Sequence, residues 1–424
     1  MTVYWSTELP AGSGANGSHT RIAIDGASNV HLLYYDATLS GLMHAIGTPG
    51  SLYVASRGTA VSGGHQWTPE DLEDASYSDP NYHWSDPDLN ALAIDSKGRL
   101  HLCLFTMDQL SHAIWDGSKY VLTAVDKKLG SLWDLAMTIG KDDSVHIAYV
   151  LPTDSHGKTT LKYATSANEP YSFQPTAIDT RSGWISNVSI ANSGDTFTTG
   201  VSYINGVWAN SSTNPTMNST FMLVYAENQK TSTVWTTEIA DPGPMASGLP
   251  PNVIGAWDAD RGTNSLILDS SGAPHIAYFS NGLGMRHGTR ASKAGSPWVS
   301  DSQGNRGEPV DVAGQASPAS ILLDQSGVLY IAYQAQGAMG TELRLATRAG
   351  SGPWLTETVD AGLNSGFAIS AALDPNGQPH IAYGFIPFVN GWLELKHTYR
   401  LNLTLVPFPH KPKKLGPFLR RPGT

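Results

Sequence analysis

The sequence LDSSGAPHIAY at residues 268–278 returns with few changes as LDPNGQPHIAY at 373–383. Further copies diverge more: IDGASNVHLLY at 24–34, IDSKGRLHLCL at 94–104, IGKDDSVHIAY at 139–149, LDQSGVLYIAY at 323–333 and the degenerate IANSGDTFTTGVSY at 190–203. Self-similarity at a spacing of roughly 50 residues, with short strands in each copy, indicates a repeat architecture. The sequence therefore contains seven copies of one structural unit.

Each copy contains two apolar, β-prone runs separated by a turn. In the copy at 268–278 the first run ends at Asp269, and the second is His275-Ile276-Ala277-Tyr278. Aspartate can hydrogen-bond the turn backbone and glycine accepts a positive φ, so the Asp-x-x-Gly tetrad predicts a β-hairpin. A third run follows, and a fourth starts near a tryptophan, as in PWLTETVD at 353–360.

Four antiparallel strands per unit, repeated radially, make the blade of a β-propeller. A solenoid is the weaker alternative because it needs distinct capping repeats. The last repeat ends at LELKHTYRL (393–401) without a tryptophan strand, and VYWSTEL at 3–9 resembles the missing strand. We therefore expect an all-β, seven-bladed propeller over residues 1–401, closed by the N-terminal strand, with an irregular tail at 402–424.

Composition agrees with this architecture and limits the partners. Of 424 residues only 15% are charged, whereas 43 are glycine and 26 are proline, which suits many tight turns. The net charge is −10, and the tail carries five basic residues and no acid, so the body carries −15. An acidic body disfavours nonspecific binding to nucleic acid, so we expect no nucleic-acid partner.

No apolar stretch is long enough to span a membrane, and no signal-peptide pattern follows Met1. We expect an extracellular or virion-associated protein without a membrane span. The single cysteine, Cys103, lies on a predicted second strand where other copies carry alanine. We expect it to be a small buried residue that forms no disulfide within the chain.

Long insertions predict which face of the propeller is functional. By connectivity, the segments 61–89, 204–220 and 241–262 emerge on the face where each first strand begins, here called the top face. Loops of this length are uncommon unless functional or disordered, and these are rich in aromatic residues. We expect them to line a cleft, with His83, Trp84, Trp208, Trp257 and Arg261 as ligand-binding residues.

Short polar residues precede each predicted first strand and should encircle the mouth of the central channel. They are His19, Asn90, Asp134, Asn187, Asn264, Ser317 and Asn364. From this ring we select Asn90, Asp134 and Asn264 as further ligand-binding residues. Aromatic platforms beside amides, carboxylates and arginine suit carbohydrate, which has apolar faces and many hydroxyls.

Two recurrent patterns are interpreted as structural. The second-strand histidines (His31, His101, His146, His275, His380) occupy matched positions in different blades. So do the tryptophans that we assign to the fourth strands, Trp5, Trp235, Trp298 and Trp354. Acidic residues around Asp86 and Asp88 could offer oxygen ligands to Ca²⁺, but no calcium-loop spacing is present. We therefore predict no cofactor and no metal site, with calcium in this acidic loop as the one ion considered.

The unit resembles the Asp-box-like repeats of bacterial β-propellers, including sialidase-like and ulvan-lyase-like seven-bladed enzymes. The segment Asp88–Asp95 resembles the pre-strand segment of the lyases, but Leu89 stands where their His-Asn pair has histidine. The lyase resemblance implies His, Tyr and Arg chemistry, for which His19, Tyr82, His83 and Arg261 are available. A sialidase needs an arginine cluster, and Arg21 and Arg261 are too few.

Three functions follow as hypotheses. The first is a lectin-like, carbohydrate-binding propeller. The second is a polysaccharide lyase or a two-carboxylate hydrolase at the same face, so whether the protein is an enzyme stays open. The third is a structural or receptor-binding subunit of an assembly such as a phage tail or extracellular filament. Under this third hypothesis, the basic tail docks on a neighbouring subunit or on its own propeller.

Overall fold

The structure is a computed structural model. It describes residues 5–11, 18–36, 41–49, 53–54, 59–61, 65–71, 89–106, 108–115, 120–153, 158–167, 169–179, 183–207, 220–229, 234–243, 264–280, 282–315, 318–362, 364–387, 393–400 and 404–405. Side chains of the strand at 65–71 and of the short strands at 53–61 and 404–405 are not described. In this part of the chain all regular structure is β-strand.

Seven four-stranded antiparallel sheets form the blades, numbered here in chain order. The N-terminal strand is β1 (Trp5–Glu8). Blade 1 has β2 (Ser18–Ile24), β3 (Val30–Asp36), β4 (Gly41–Pro49) and β7 (His65–Asp71), with β5 (Tyr53–Val54) and β6 (Thr59–Val61) between the last two. Blade 2 has β8 (Asn90–Ile94), β9 (Leu100–Thr106), β10 (Gln109–Trp115) and β11 (Tyr120–Asp126). Blade 3 has β12 (Asp134–Ile139), β13 (Val145–Pro152), β14 (Thr159–Ser166) and β15 (Thr176–Asp179).

The second half of the chain repeats this order. Blade 4 has β16 (Trp184–Ser193), β17 (Thr198–Val207), β18 (Thr220–Gln229) and β19 (Thr236–Asp241). Blade 5 has β20 (Asn264–Leu268), β21 (Pro274–Ser280), β22 (Gly284–Thr289) and β23 (Glu308–Asp311). Blade 6 has β24 (Ser320–Leu323), β25 (Val328–Gln336), β26 (Thr341–Ala349) and β27 (Leu355–Asp360). Blade 7 has β28 (Ser365–Leu373), β29 (Pro379–Phe385) and β30 (Glu394–Arg400), and β31 (Thr404–Leu405) follows.

Ring closure occurs as predicted. β1 is the outermost strand of blade 7 and pairs antiparallel with β30, with Trp5 opposite Arg400. The first strand of every blade contacts the first strands of its neighbours, from β2 round to β28 and back. These inner strands therefore surround a central channel, and the first and last parts of the chain are held in one sheet.

The predicted Asp-x-x-Gly turns have the expected chemistry. Asp269 Oδ1 accepts hydrogen bonds from the backbone N–H groups of Ser271 and Ala273, at 2.8 and 2.9 Å. Gly272 has a φ of 81°, a left-handed conformation that glycine adopts without steric cost. The aspartate therefore fixes the loop from one side while the glycine allows the reversal.

A tyrosine–aspartate hydrogen bond joins neighbouring blades. The hydroxyl of Tyr278 on β21 donates to Asp241 Oδ2, at the end of β19 in the preceding blade, over 2.7 Å. The same bond recurs at four further seams, between Tyr149 and Asp126, Tyr203 and Asp179, Tyr333 and Asp311, and Tyr383 and Asp360. The repeated Tyr of each second strand thus connects one sheet to the next.

Part of the predicted insertion at 61–89 is a strand. Residues His65–Asp71 form β7, the outermost strand of blade 1, paired with β4. Polar residues and Pro69 hide this strand in the sequence, because an edge strand tolerates a proline. Between β4 and β7, the hairpin of β5 and β6 emerges on the face opposite the top, here called the bottom face, and β31 pairs with β6 there.

Two smaller predictions have clear outcomes. Cys103 is fully buried, as expected, and burial raises the pKa of its thiol. Trp298 is not on a fourth strand as predicted, because it precedes β23 by a long connection, yet it still packs against Tyr225 of blade 4. No described segment forms a helix long and apolar enough to cross a membrane.

Candidate functional site

A cavity of about 290 Å³ lies in the channel, at the end where the inner strands begin. All seven blades contribute to its lining, so it is centred on the propeller axis. Aliphatic and polar side chains both line the wall, and the polar ones are spaced around it. These polar side chains are His19, Arg21, Ser189, Asn264, Ser265, Ser320 and Ser370.

Three of the predicted site residues begin inner strands, and of these Asn264 lines the cavity. Asn90, Asp134 and Asn264 are the first residues of β8, β12 and β20. The other five candidates, His83, Trp84, Trp208, Trp257 and Arg261, lie outside the described residues. Whether they join the mouth therefore stays a prediction.

Asn264 acts as a bridge between blades 4 and 5. Its carbonyl oxygen accepts a 2.6 Å hydrogen bond from the Ser202 hydroxyl, and its amide nitrogen donates to the carbonyl oxygen of Asn187. The residue is 4% exposed. Because its amide already has partners in the fold, Asn264 shapes the cavity wall more than it offers free hydrogen-bonding groups to a ligand.

Asp134 fastens blade 3 to blade 4. Its Oδ2 accepts a 2.8 Å hydrogen bond from the Val188 backbone N–H, and its Oδ1 accepts one of 2.7 Å from Leu135. Burial raises the pKa of the Asp134 carboxyl to about 6, although these hydrogen bonds and the charge of Arg21 oppose the shift. Asp134 is thus a carboxyl at the channel mouth that changes protonation near neutral pH.

Arg21 brings a positive charge into the channel. Its Nη1 donates to the Thr20 carbonyl oxygen over 3.1 Å, and within the described part of the chain it forms no ion pair. Burial lowers the pKa of Arg21 from its usual value, and the charge of Asp134 opposes this. A guanidinium in such a place favours an anionic ligand group, because arginine presents a planar fork of donors to carboxylate.

The backbone beside Arg21 is also unusual. His19 has a φ of 53°, in a left-handed region that non-glycine residues adopt rarely, and the β2–β3 register shifts between Ser18 and Arg21. Asn187 and Asn364, at the mouth in blades 4 and 7, have φ values of 55° and 57°. Bulged strand ends of this kind frequently re-aim side chains near functional sites.

Serines take the position of Arg21 in four other blades, and each joins its inner strand to the next. The Oγ atom of Ser265 accepts a 3.2 Å hydrogen bond from the backbone N–H of Ile321. Ser189, Ser320 and Ser370 accept from Leu266, Ala371 and Ile22 in the same way. Blades 2 and 3 carry Ala91 and Ala136 at this position. The serine contacts therefore lie on the side of the channel formed by blades 4 to 7, and Arg21 lies on the side formed by blades 1 to 3.

The recurring second-strand histidines are separate, as predicted. Each of four such histidines meets a second histidine on the third strand of its own blade, which the sequence reading missed. The ring nitrogens are 2.9–3.1 Å apart in the pairs His31–His44, His101–His112, His275–His287 and His380–His397. These pairs lie inside the blades and contribute nothing to the channel mouth.

Comparison with known proteins supports the fold. No protein-family model matches the sequence, and no curated protein matches it. Among solved structures, the polysaccharide lyase Uly1 aligns with a TM-score of 0.51 at 9% identity, over 94% of this chain and 91% of that chain. The α-L-arabinofuranosidase Arb93A from Fusarium graminearum reaches 0.47 at 10% identity, over 79% and 93%. The Aleuria aurantia lectin reaches 0.44 at 12% identity, over 84% and 100%.

At these identities the comparisons establish the propeller fold alone. The likeness to a polysaccharide-lyase propeller agrees with the fold that the repeat pattern predicts. The Asp-box label for the repeats stays a prediction.

Proposed function

We propose that the protein binds carbohydrate at the top-face mouth of its channel, and that the sugar carries a carboxylate or sulfate group. The observation that carries this proposal is Arg21 in the axial cavity, with no ion-pair partner in the described residues. Small-molecule sites are usually concave and carry a few placed polar groups that orient the ligand. The aromatic top-face segments, with Trp84, Trp208, Trp257, His83 and Arg261, are expected to complete it.

The test is retention of the purified protein on acidic and neutral polysaccharides, with the same samples assayed for new chain ends. Retention by acidic polysaccharides alone is the expected result. Arg21→Gln should weaken it on the order of tenfold or more, as expected for loss of a charge-assisted contact. Lys141→Gln is the matched control, because Lys141 is an exposed lysine paired with Asp195 far from the channel. Equal retention of the wild type and Arg21→Gln would overturn the site.

Cleavage at the same mouth is the second candidate, favoured by Asp134. A carboxyl whose pKa is raised to about 6 is suited to proton transfer near neutral pH. If unsaturated or reducing ends appear with wild-type protein, and Asp134→Asn abolishes them without abolishing retention, the protein is a polysaccharide-cleaving enzyme. Retention without new ends supports a lectin-like module.

Assembly through residues 402–424 stays a prediction. The described part of this tail, Thr404–Leu405, pairs with β6 of the same chain on the bottom face. This pairing supports docking of the tail's first residues on its own propeller, and it leaves the top face open to ligand. Sedimentation of protein lacking residues 406–424, at low and high salt, would reveal whether the basic remainder joins subunits.

A further inference from the structure

Arginine fills the seam between blades 4 and 5 on the bottom face. Arg290 follows β22 of blade 5, and its side chain is fully buried. Its Nη2 lies 2.8 Å from Glu227 Oε2, and its Nε pairs with Glu238, both on blade 4. The guanidinium carbon lies 5.2 Å from the centre of the Tyr225 ring and 5.6 Å from that of Trp298. We call this arrangement the arginine plug.

The next two seams repeat the plug. At the seam of blades 5 and 6, Arg348 pairs with Glu308 and lies 4.8 Å from the centre of the Trp354 ring. At the seam of blades 6 and 7, Arg400 pairs with Glu357 and stacks on Trp5. In each case the arginine lies on or directly after the third strand of one blade, and a glutamate partner lies on the fourth strand of the preceding blade.

The seam between blades 3 and 4 keeps the aromatic residues of this arrangement but lacks the plug. Trp235 of blade 4 meets Tyr163 of blade 3 edge to face, with ring centres 4.9 Å apart. The strand register places Asn228 where the other blades have the arginine, and Thr176 where they have the glutamate. Both residues of the ion pair are therefore replaced by shorter, uncharged side chains.

The space that the plug would fill is a cavity here. It measures about 310 Å³ and is lined by Asn228, Thr176, Trp235 and Tyr163 together with Gln174 and Asn192.

Loss of the arginine does not by itself open a seam. Between blades 2 and 3, where the same positions are Ser166 and Thr123, the rings of Tyr171 and Phe173 pack on His112 at 4.7 and 5.5 Å.

We infer that the seam between blades 3 and 4 is a second ligand site, and that it binds an uncharged sugar residue. Two aromatic rings offer an apolar surface, while amides and threonine hydroxyls offer both donors and acceptors to ligand hydroxyls. A guanidinium or ammonium ligand is disfavoured, because Thr176 stands where the plugged seams have the glutamate that balances the cation, and Asp142 Oδ1 in the lining already accepts hydrogen bonds from Ser144. The site is bordered by the hairpin-turn residues Asp142 and Phe197, at the end of the blades opposite the channel mouth. It does not depend on the function proposed for that mouth.

The test rebuilds the plug. Thr176→Glu combined with Asn228→Arg recreates the pair found at the other three seams and fills the cavity. Saturation-transfer NMR and calorimetry with methyl glycosides of neutral hexoses should show wild-type binding with a Kd on the order of 1 mM. The double variant should bind at least about tenfold more weakly. Its thermal midpoint should be unchanged or higher, which distinguishes a filled seam from a misfolded one.

Two further variants serve as controls for this experiment. Arg21→Gln should bind the neutral glycosides as the wild type does, which separates this site from the channel mouth. Gln174→Ala, at an exposed rim position, should weaken binding a few-fold without a folding defect. Unchanged binding in the rebuilt-plug variant would overturn the inference. So would the absence of wild-type binding to every neutral glycoside, or wild-type binding of methylguanidinium in their place.

Discussion

The paired histidines inside the blades make protonation unfavourable in the folded protein. Burial, assisted by the neighbouring ring, lowers the pKa of His31 and His275 to about 4 and that of His112 to about 3. The folded state therefore keeps these rings neutral, whereas the unfolded chain takes up protons near pH 6.5. Their contribution to the free energy of unfolding is complete above about pH 6.5 and is lost as the pH falls towards 4.

We predict that urea unfolding at pH 5 needs less denaturant than at pH 7. Each of these histidines can contribute up to about 1.4 kcal/mol per pH unit in this window. His112→Leu should reduce the pH dependence of the free energy of unfolding by the equivalent of up to one proton taken up on unfolding, because His112 is fully buried between strands. A free energy of unfolding that does not change between pH 7 and pH 5 would contradict this interpretation.

Asp134 gives the channel mouth a pH dependence of its own. Because its pKa is raised to about 6, the carboxyl is ionised at pH 7.5 and largely neutral at pH 5. Neutralising it leaves the charge of Arg21 uncompensated, so an acidic polysaccharide should bind more tightly at the lower pH. We expect a gain on the order of 1 kcal/mol, measured by calorimetry at the two pH values.

Asp134→Asn is the control for that prediction. The asparagine keeps one acceptor for the backbone of blade 4 but does not titrate. Its affinity at pH 7.5 should resemble the wild-type affinity at pH 5 and should change little with pH. If the variant shows the same pH dependence as the wild type, another group is responsible.

At the scale of elements, the inner strands of blades 4 to 7 are tied by serine hydroxyls. Ser265→Ala leaves the Ile321 N–H without its acceptor across the seam. An unsatisfied buried donor costs about 1–3 kcal/mol, and we expect urea unfolding to show a loss of this size. Ala136→Ser should install the same contact between blades 3 and 4 and stabilise by about 0.5–1.5 kcal/mol. A neutral Ser265→Ala variant would show that the contact is dispensable.

The repeated hairpin was predictable because its causes are local. Asp269, Gly272 and the strand residues beside them lie within one short segment, so sequence spacing reports their contacts. β7 was missed because its sequence HQWTPED has neither the alternation nor the apolar run that marks a strand. An outer edge strand needs neither, since only one neighbour pairs with it.

The sites were harder to predict, because their residues come from different blades. Asn264 was correctly placed at the mouth, but its partners Ser202 and Asn187 come from blade 4, and sequence alone could not show that they occupy its amide. The ion pairs of the arginine plug join residues at least about 40 positions apart. It becomes visible only when strand register aligns the blades, although Arg290, Arg348 and Arg400 recur at matched positions in the sequence.

At the scale of the whole molecule, β1 holds the ring closed. It pairs with β30 and brings Trp5 to Arg400 in the last plugged seam. Deletion of residues 1–9 should leave β30 with an unpaired edge, and exposed edges promote aggregation. We predict that the truncated protein elutes as aggregate in gel filtration and loses its cooperative thermal transition, whereas deletion of residues 406–424 leaves the transition intact. A monomeric, cooperatively melting truncation would show that the ring does not need this strand.

The distribution of serine contacts and arginine plugs has a mechanical consequence. Both kinds of contact fall on the arc from blade 4 through blade 7, and the serine contacts continue to blade 1. Among its described residues, the arc from blade 1 through blade 3 to the seam between blades 3 and 4 has neither. Hydrogen bonds such as that from Val188 to Asp134 still join blades of this arc, but because it lacks these two kinds of contact we expect opening of the ring to begin there. The cavity proposed to bind a neutral sugar lies between blades 3 and 4, in this less tightly joined arc. A bound sugar would contact both blades and would therefore reduce opening of the ring.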